Sequence, residues 1–149
     1  IGGIRMKHFY CPYCNEKLSY LDGTVIKLKG VLSCDMFECS VNFYLPGAIG
    51  KYGSIMDEHV KLKDGARVEF RCPNVKCDRI FTSHYDNDLA EIKMLDDDGH
   101  EYVVVFNRIY GIHSTFVVDY KKKQLESAYG EDKKTYQRDF DKPVNFFGA

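Results

Sequence analysis

The chain of 149 residues contains no tryptophan, only four prolines and no long apolar run. A membrane-spanning helix needs about 20 consecutive apolar residues, so we expect no membrane association. Charge of one sign is also missing: the net charge is −1, with +3 in residues 1–84 and −4 in residues 85–149. Neutralising nucleic-acid phosphates requires a positive excess, and this composition therefore disfavours general nucleic-acid binding.

Catalytic motifs are absent from the sequence as well. It has no H-E-x-x-H motif, and its five histidines are scattered. The segment C-P-Y-C matches the dithiol motif of glutaredoxins, in which the first cysteine lies at a helix N-terminus. Here residues 15–22 lead into a hairpin turn instead. We therefore predict no catalytic residues, and thiol redox chemistry stays an alternative.

Cysteine is the informative residue type. The six cysteines form three close pairs, and the chain carries 21 aromatic residues (11 Tyr, 10 Phe) that can build a packed core. Pairs with metal-ligand spacing indicate a reducing compartment more than a secreted disulfide framework, so we predict a cytoplasmic protein. The pairs are Cys11 and Cys14, Cys34 and Cys39, and Cys72 and Cys77.

Four thiolates fill one tetrahedral zinc site. The preferred ligands are Cys11, Cys14, Cys34 and Cys39, because residues 17–28 between the two pairs predict a hairpin around an Asp-Gly turn that is the right size. Three alternatives stay open. The first pair can join Cys72 and Cys77, the second and third pairs can join each other, or no metal is bound.

The segments C-P-Y-C-N-E-K-L and V-L-S-C-D-M-F-E-C resemble the four-cysteine zinc ribbons at the C-terminus of bacterial type I topoisomerases and the Ogr/Delta-type phage activators. The resemblance implies that Cys11, Cys14, Cys34 and Cys39 are the zinc ligands and that the ribbon faces nucleic acid. The glycine that usually follows the first pair is Asn15 here, which also enters left-handed turns.

The third cysteine pair suggests a second metal site. Its candidate ligands are Cys72, Cys77, His84 and His59, since these histidines lie near the pair in sequence. Two protomers can also each contribute a pair across a dimer interface. The sequence thus predicts one zinc ion and leaves a second open, and iron is an alternative because it binds four thiolates in similar geometry.

The predicted fold is mostly β: a zinc ribbon, an antiparallel β-meander and a short C-terminal helix or tail. Apolar strand patterns at 89–95, 101–109 and 114–120 predict the meander, and the run 102–106 predicts a strand covered on both faces. We assign residues 124–129 to helical turns and 130–142 to a loose charged segment. The predicted units are a zinc ribbon (6–46), a glycine-rich connection (47–58), a second hairpin with cysteine knuckle and meander (59–120) and a polar tail (121–149).

These patterns favour a non-catalytic protein-binding accessory or adaptor module. The partner is another protein or a second copy of the chain. A nucleic-acid-binding regulator is the first alternative, as the ribbon resemblance implies, and a thiol or iron-thiolate redox protein is the second.

Overall fold

The structure is a computed structural model that describes residues 7–34, 37–56 and 62–141, with the side chains of 33, 34 and 141 outside that description. The described residues form ten strands and one helix. These elements are β1 (His8–Tyr10), β2 (Ser19–Tyr20), β3 (Val25–Cys34), β4 (Phe37–Pro46), β5 (Ile55–Met56), β6 (Glu69–Arg71), β7 (Leu89–Leu95), β8 (Glu101–Asn107), β9 (Thr115–Asp119), β10 (Gln124–Tyr129) and α1 (Lys133–Asp141). The predicted fold class, mostly β with a short C-terminal helix or tail, is confirmed.

The first sheet, here called the ribbon sheet, has the order β2-β3-β4-β5, and β6 also pairs with β3. All pairings are antiparallel, and β3 and β4 pair from Val25 with Pro46 to Cys34 with Phe37. The predicted turn between β2 and β3 is present, with Gly23 at φ 85°. A Cβ at this glycine would lie 2.1 Å from the carbonyl oxygen of Lys7, so only glycine fits.

The second sheet, here called the meander sheet, has the order β1-β7-β8-β9-β10. Strands β7, β8 and β9 are the meander predicted from the sequence. The N-terminal strand β1 joins its edge, with His8 opposite Leu95 and Tyr10 opposite Lys93. The segment that follows β1 leads to β2 of the ribbon sheet, and Tyr10 bridges to Lys17 within that segment.

The two sheets pack face to face around one apolar cluster, and α1 covers the outer face of the meander sheet with a second. Val104 belongs to the cluster between the sheets. Its neighbour Val105 belongs to the cluster under α1, together with Phe116 and Tyr136. Successive residues of β8 are therefore buried on opposite faces, which confirms the prediction for residues 102–106.

Two predictions near the C-terminus are wrong. Residues 124–129 are strand β10, which pairs with β9 from Gln124 opposite Asp119 to Tyr129 opposite Thr115. The chain reverses because the carboxylate of Asp119 accepts the Lys122 backbone N–H at 2.8 Å and its carbonyl accepts that of Lys123. Residues 133–141, predicted to be loose, form α1. The helix is stabilised by packing of Tyr136 and Phe140 on the meander sheet, which its mostly polar composition does not indicate.

The predicted hairpin at 59–71 falls partly outside the described residues, which begin again at 62. Its turn is present, since the Ala66 N–H donates to the Lys63 carbonyl at 3.0 Å, and its second arm contains β6. Within the described ranges, no helix has the length and apolar character needed to cross a membrane.

Candidate metal centre

Four cysteine side chains from two distant segments converge at one end of the molecule. Cys11 and Cys14 follow β1, and Cys72 and Cys77 follow β6. Their four sulfur atoms all lie within 4.8 Å of one another. The Sγ atoms of Cys11 and Cys77 are 3.8 Å apart, and those of Cys14 and Cys72 are 3.6 Å apart. Zinc–sulfur bonds of about 2.3 Å in a tetrahedron place the sulfurs about 3.8 Å apart, so the cluster has the size of a metal site.

The first knuckle, residues 10–17, is closed by backbone hydrogen bonds. The Cys11 N–H donates to the Glu16 carbonyl at 2.9 Å, and the Asn15 N–H donates to the Cys11 carbonyl at 3.0 Å. Asn15 has φ 64°, the left-handed conformation expected for the residue after this pair. The N–H groups of Tyr13 and Cys14 point at the Cys11 sulfur, at 3.4 and 3.5 Å. Such donors stabilise a thiolate.

The second knuckle, residues 71–80, has the same construction. The Cys72 N–H donates to the Arg79 carbonyl at 3.0 Å, and Asp78, directly after the second cysteine, has φ 47°. Antiparallel bridges close both knuckles, Tyr10 with Lys17 in the first and Arg71 with Ile80 in the second. A hydrogen bond of 3.1 Å from the Asn74 amide to the Glu16 carboxylate joins them. The two knuckles therefore form one rigid unit around the sulfurs.

Two of the sulfurs lie inside the protein and one lies at its surface. Cys11 and Cys72 are fully buried, and burial raises the pKa of both thiols. Cys14 is exposed. Desolvation raises the pKa of its thiol, but hydrogen bonds from the Glu16 backbone and the neighbouring thiols together outweigh that effect, so the pKa is lowered. Without a cation the two inner thiols stay protonated, and a bound metal would displace those protons.

The cluster matches one of the alternatives left open by the sequence, in which the first pair joins the third. Cys39 is disulfide-bonded and is not among the four clustered residues. The side chain of Cys34 lies outside the described residues. The preferred ligand set of Cys11, Cys14, Cys34 and Cys39 therefore stays a prediction. The third pair, Cys72 and Cys77, has the geometry needed to bind a metal together with Cys11 and Cys14.

Of the two histidines proposed for a second site, the structure describes His84, which is not part of the cluster. His59 lies outside the described residues. The His84 ring is exposed, with Nδ1 2.8 Å from a carboxylate oxygen of Glu91, and it packs against Tyr85 at a centroid distance of 4.2 Å. A second metal site thus stays a prediction, and Cys72 and Cys77 already belong to the four-sulfur cluster.

One sequence signal could have identified this pairing. The first and third pairs both begin with Cys-Pro and both follow a short strand, H-F-Y and E-F-R, whereas the middle pair begins with Cys-Asp. Similar flanking residues build similar turns, and those turns face each other in the fold.

The resemblance to topoisomerase and Ogr/Delta-type ribbons rests on cysteine spacing alone. Comparison of the chain with protein-family models, curated proteins and solved structures finds no match.

Proposed function

We propose that this chain is a non-catalytic zinc protein that binds a protein partner through the surface formed by its two knuckles. The observation that carries the proposal is the convergence of four cysteine sulfurs beneath exposed apolar side chains. The metal has a structural role, holding two chain segments in a fixed position so that their tips form a rigid surface.

Zinc is favoured by the ligand set and by the closure of the site. Four thiolates are typical of structural zinc, and a tetrahedral site filled by four sulfurs leaves no ligand position for water or substrate. Two ligands, Cys11 and Cys72, are fully buried. Iron accepts the same four thiolates, so an iron-loaded protein would favour electron transfer instead.

The knuckle surface, defined here by Tyr13, Val75 and Ile80, is apolar where it meets solvent. Tyr13 is 51% exposed and Val75, at the tip of the second knuckle, is 83% exposed. The Arg79 guanidinium lies 4.9 Å above the Tyr13 ring. Tyrosine and arginine side chains on a rigid base are enriched at the energetic centres of protein interfaces.

Charge around the knuckles supports a protein partner over nucleic acid. Residues 10–17 and 71–80 hold four basic and two acidic side chains, and Asp78 pairs with Lys29 at 3.0 Å and with Arg71 at 3.4 Å. A divalent ion with four thiolates has a net charge of −2. The knuckle end therefore has no positive excess with which to neutralise phosphates.

Nucleic-acid binding is the second candidate because of the same Tyr13 and Arg79 pair. An aromatic ring with an arginine over it can stack an unpaired base. Fluorescence anisotropy with a labelled single-stranded oligonucleotide, at about 50 and 200 mM salt, separates the two functions. Binding that weakens steeply with salt and is lost in Tyr13→Ala would favour nucleic acid. Absence of binding at low salt supports the protein-binding proposal.

Metal analysis of purified protein tests the centre itself. We expect one zinc per chain in the wild type and in a Cys34→Ser/Cys39→Ser variant, and loss of zinc in Cys72→Ser/Cys77→Ser. The reverse pattern for the two double variants would move the ligands to the set preferred from the sequence. Should a double variant fail to fold, alkylation of the wild type before and after chelation, with the modified cysteines identified by mass spectrometry, makes the same distinction.

A further inference from the structure

A cavity of about 520 Å³ lies between the two sheets, beside the glycine-rich loop 47–54 that joins β4 to β5 within the ribbon sheet. Both sheets contribute apolar walls to it, the ribbon sheet through Phe43 and Phe70 and the meander sheet through Val104 and Phe106. Protein interiors rarely contain voids larger than a water molecule, whereas sites for small ligands occupy about 300–1,000 Å³. The cavity therefore has the size of a ligand site.

The loop is fixed to the ribbon sheet at its first residue. The Gly47 N–H donates to the Thr24 carbonyl at 2.8 Å. A Cβ at Gly47 would lie 1.8 Å from the Gly23 carbonyl oxygen, so this contact requires glycine.

The other end of the loop is fixed to the meander sheet by Tyr52. Its hydroxyl lies 2.9 Å from the hydroxyl of Thr115, and its ring stacks on His113 at a centroid distance of 4.4 Å. Gly130 permits this contact, since a Cβ there would lie 2.7 Å from the Tyr52 hydroxyl oxygen. The contacts of Gly47 and Tyr52 keep the loop from filling the space beneath it. The cavity is therefore maintained by specific contacts of the fold.

The lining indicates the chemistry of the ligand. Phe70 contacts both Phe43, at a centroid distance of 5.4 Å, and Phe106, at 5.5 Å, so one wall is aromatic. The lining includes charged side chains of both signs, the cations Lys51 and Arg108 and the anion Asp64. The Arg108 guanidinium donates hydrogen bonds to the backbone carbonyls of Asn87 and Val68. A site of this kind does not select a strongly charged molecule.

One end of the lining is polar. Thr115 and Tyr52 form the hydroxyl pair described above, in which one hydroxyl donates to the other and the second hydrogen stays available. A ligand oxygen can accept that hydrogen. We propose that the cavity binds a neutral aromatic small molecule carrying one oxygen acceptor, a function separate from the metal centre and independent of the knuckle surface.

Acetophenone, benzene and benzoate serve as probes in an NMR titration of the zinc-loaded protein. We expect saturable shifts at the amides of 49–52, 104 and 106, with acetophenone bound several-fold more tightly than either benzene or benzoate. Shifts that do not saturate, shifts spread over the whole surface, or tighter binding of benzoate would each overturn the proposal.

Two variants locate the binding. Ile49 lines the cavity, so Ile49→Trp should fill it and abolish the acetophenone shifts. Ile55→Trp is the matched control, because Ile55 is 73% exposed and does not line the cavity. Equal binding by the two variants would contradict the assignment.

Thr115→Val provides a second test that does not fill space: loss of one hydrogen bond should weaken the binding of acetophenone about fivefold and leave the binding of benzene unchanged. An equal effect on the binding of both probes would show that the hydroxyl pair does not bind the ligand oxygen.

Discussion

Two regions of this molecule are stabilised by different interactions: the knuckle end, which comprises residues 10–17 and 71–80, and the helix end, which comprises α1 and the cluster beneath it. At the knuckle end the sulfurs of Cys11 and Cys77 meet across 66 positions of sequence, while Tyr13 and Val75 are left in solvent. At the helix end the aromatic rings are inside: Phe116 is fully buried and stacks on Phe140 at a centroid distance of 4.3 Å. With the proposed metal bound, the knuckle end relies on coordination chemistry, whereas the helix end relies on apolar burial.

The magnitudes explain the division. Closing a loop of about 66 residues costs on the order of 4 kcal/mol of chain entropy. Residues 10–17 and 71–80 bury the cysteines Cys11 and Cys72 but no larger side chain that could offset this cost. A structural zinc ion contributes on the order of 10 kcal/mol at neutral pH. At the helix end, α1 follows β10 after a short turn, so closure costs little and burial of a few rings is sufficient.

Metal removal should produce the largest effect and should be confined to one end. After chelation we expect amide protection to fall at the knuckle residues Cys11, Asn15, Cys72 and Cys77, because their hydrogen bonds depend on turns fixed by the sulfurs. Protection at Val105 and Phe116 should persist, since that cluster contains no metal ligand. Hydrogen exchange measured by mass spectrometry before and after chelation checks both statements.

A variant of the second cysteine pair supplies the control for chelation. A Cys34→Ser/Cys39→Ser variant should respond to chelator as the wild type does, because Cys39 is not one of the four clustered residues. Equal loss of protection at both ends of the wild type would show that the molecule unfolds as one unit, and the contrast between the ends would then be untenable.

Phe116→Ala should produce the next largest effect and should act at the helix end. Truncating a fully buried ring in the cluster under α1 removes its burial and leaves a cavity, which costs about 3–5 kcal/mol. The control is Phe37→Ala: this ring is 71% exposed, so the change should stay within about 0.5 kcal/mol. Urea unfolding of the zinc-loaded variants measures both. A similar cost for the two substitutions would mean that the rings under α1 do not stabilise the helix end.

The parts of the fold that the sequence predicts are those determined by local patterns. The Asp-Gly turn before β3 and the three strands of the meander depend on residues close together in the chain, and the structure confirms them. Residues 124–129 fit one helical face through Leu125, Ala128 and Tyr129, whereas their pairing with β9 depends on a reversal set by Asp119. Helix α1 is not apparent from the sequence, since Tyr136 and Phe140, four residues apart, stand among charged neighbours.

The candidate metal centre is likewise predictable only in its local part. Spacing identifies each cysteine pair as a knuckle, but it does not determine which knuckles face each other. The sequence preference rested on the short separation between Cys14 and Cys34, while the described cluster joins segments that the β1–β7 and β3–β6 pairings bring together. Proximity along the chain is a weaker guide than strand pairing, which a single sequence does not display.

His84→Ala should produce the smallest effect, and it tests whether the metal centre extends beyond the four sulfurs. The ring lies outside the cluster, is exposed, and has Glu91 as its hydrogen-bonding partner. Exposed pairs of this kind contribute about 0–1 kcal/mol, so the free energy of unfolding should change by less than about 1 kcal/mol. Zinc content should stay at one per chain, as measured by metal analysis of the purified variant. A fall in zinc content without unfolding would make His84 a ligand, and the knuckle end would then include a residue that the described geometry places with Glu91.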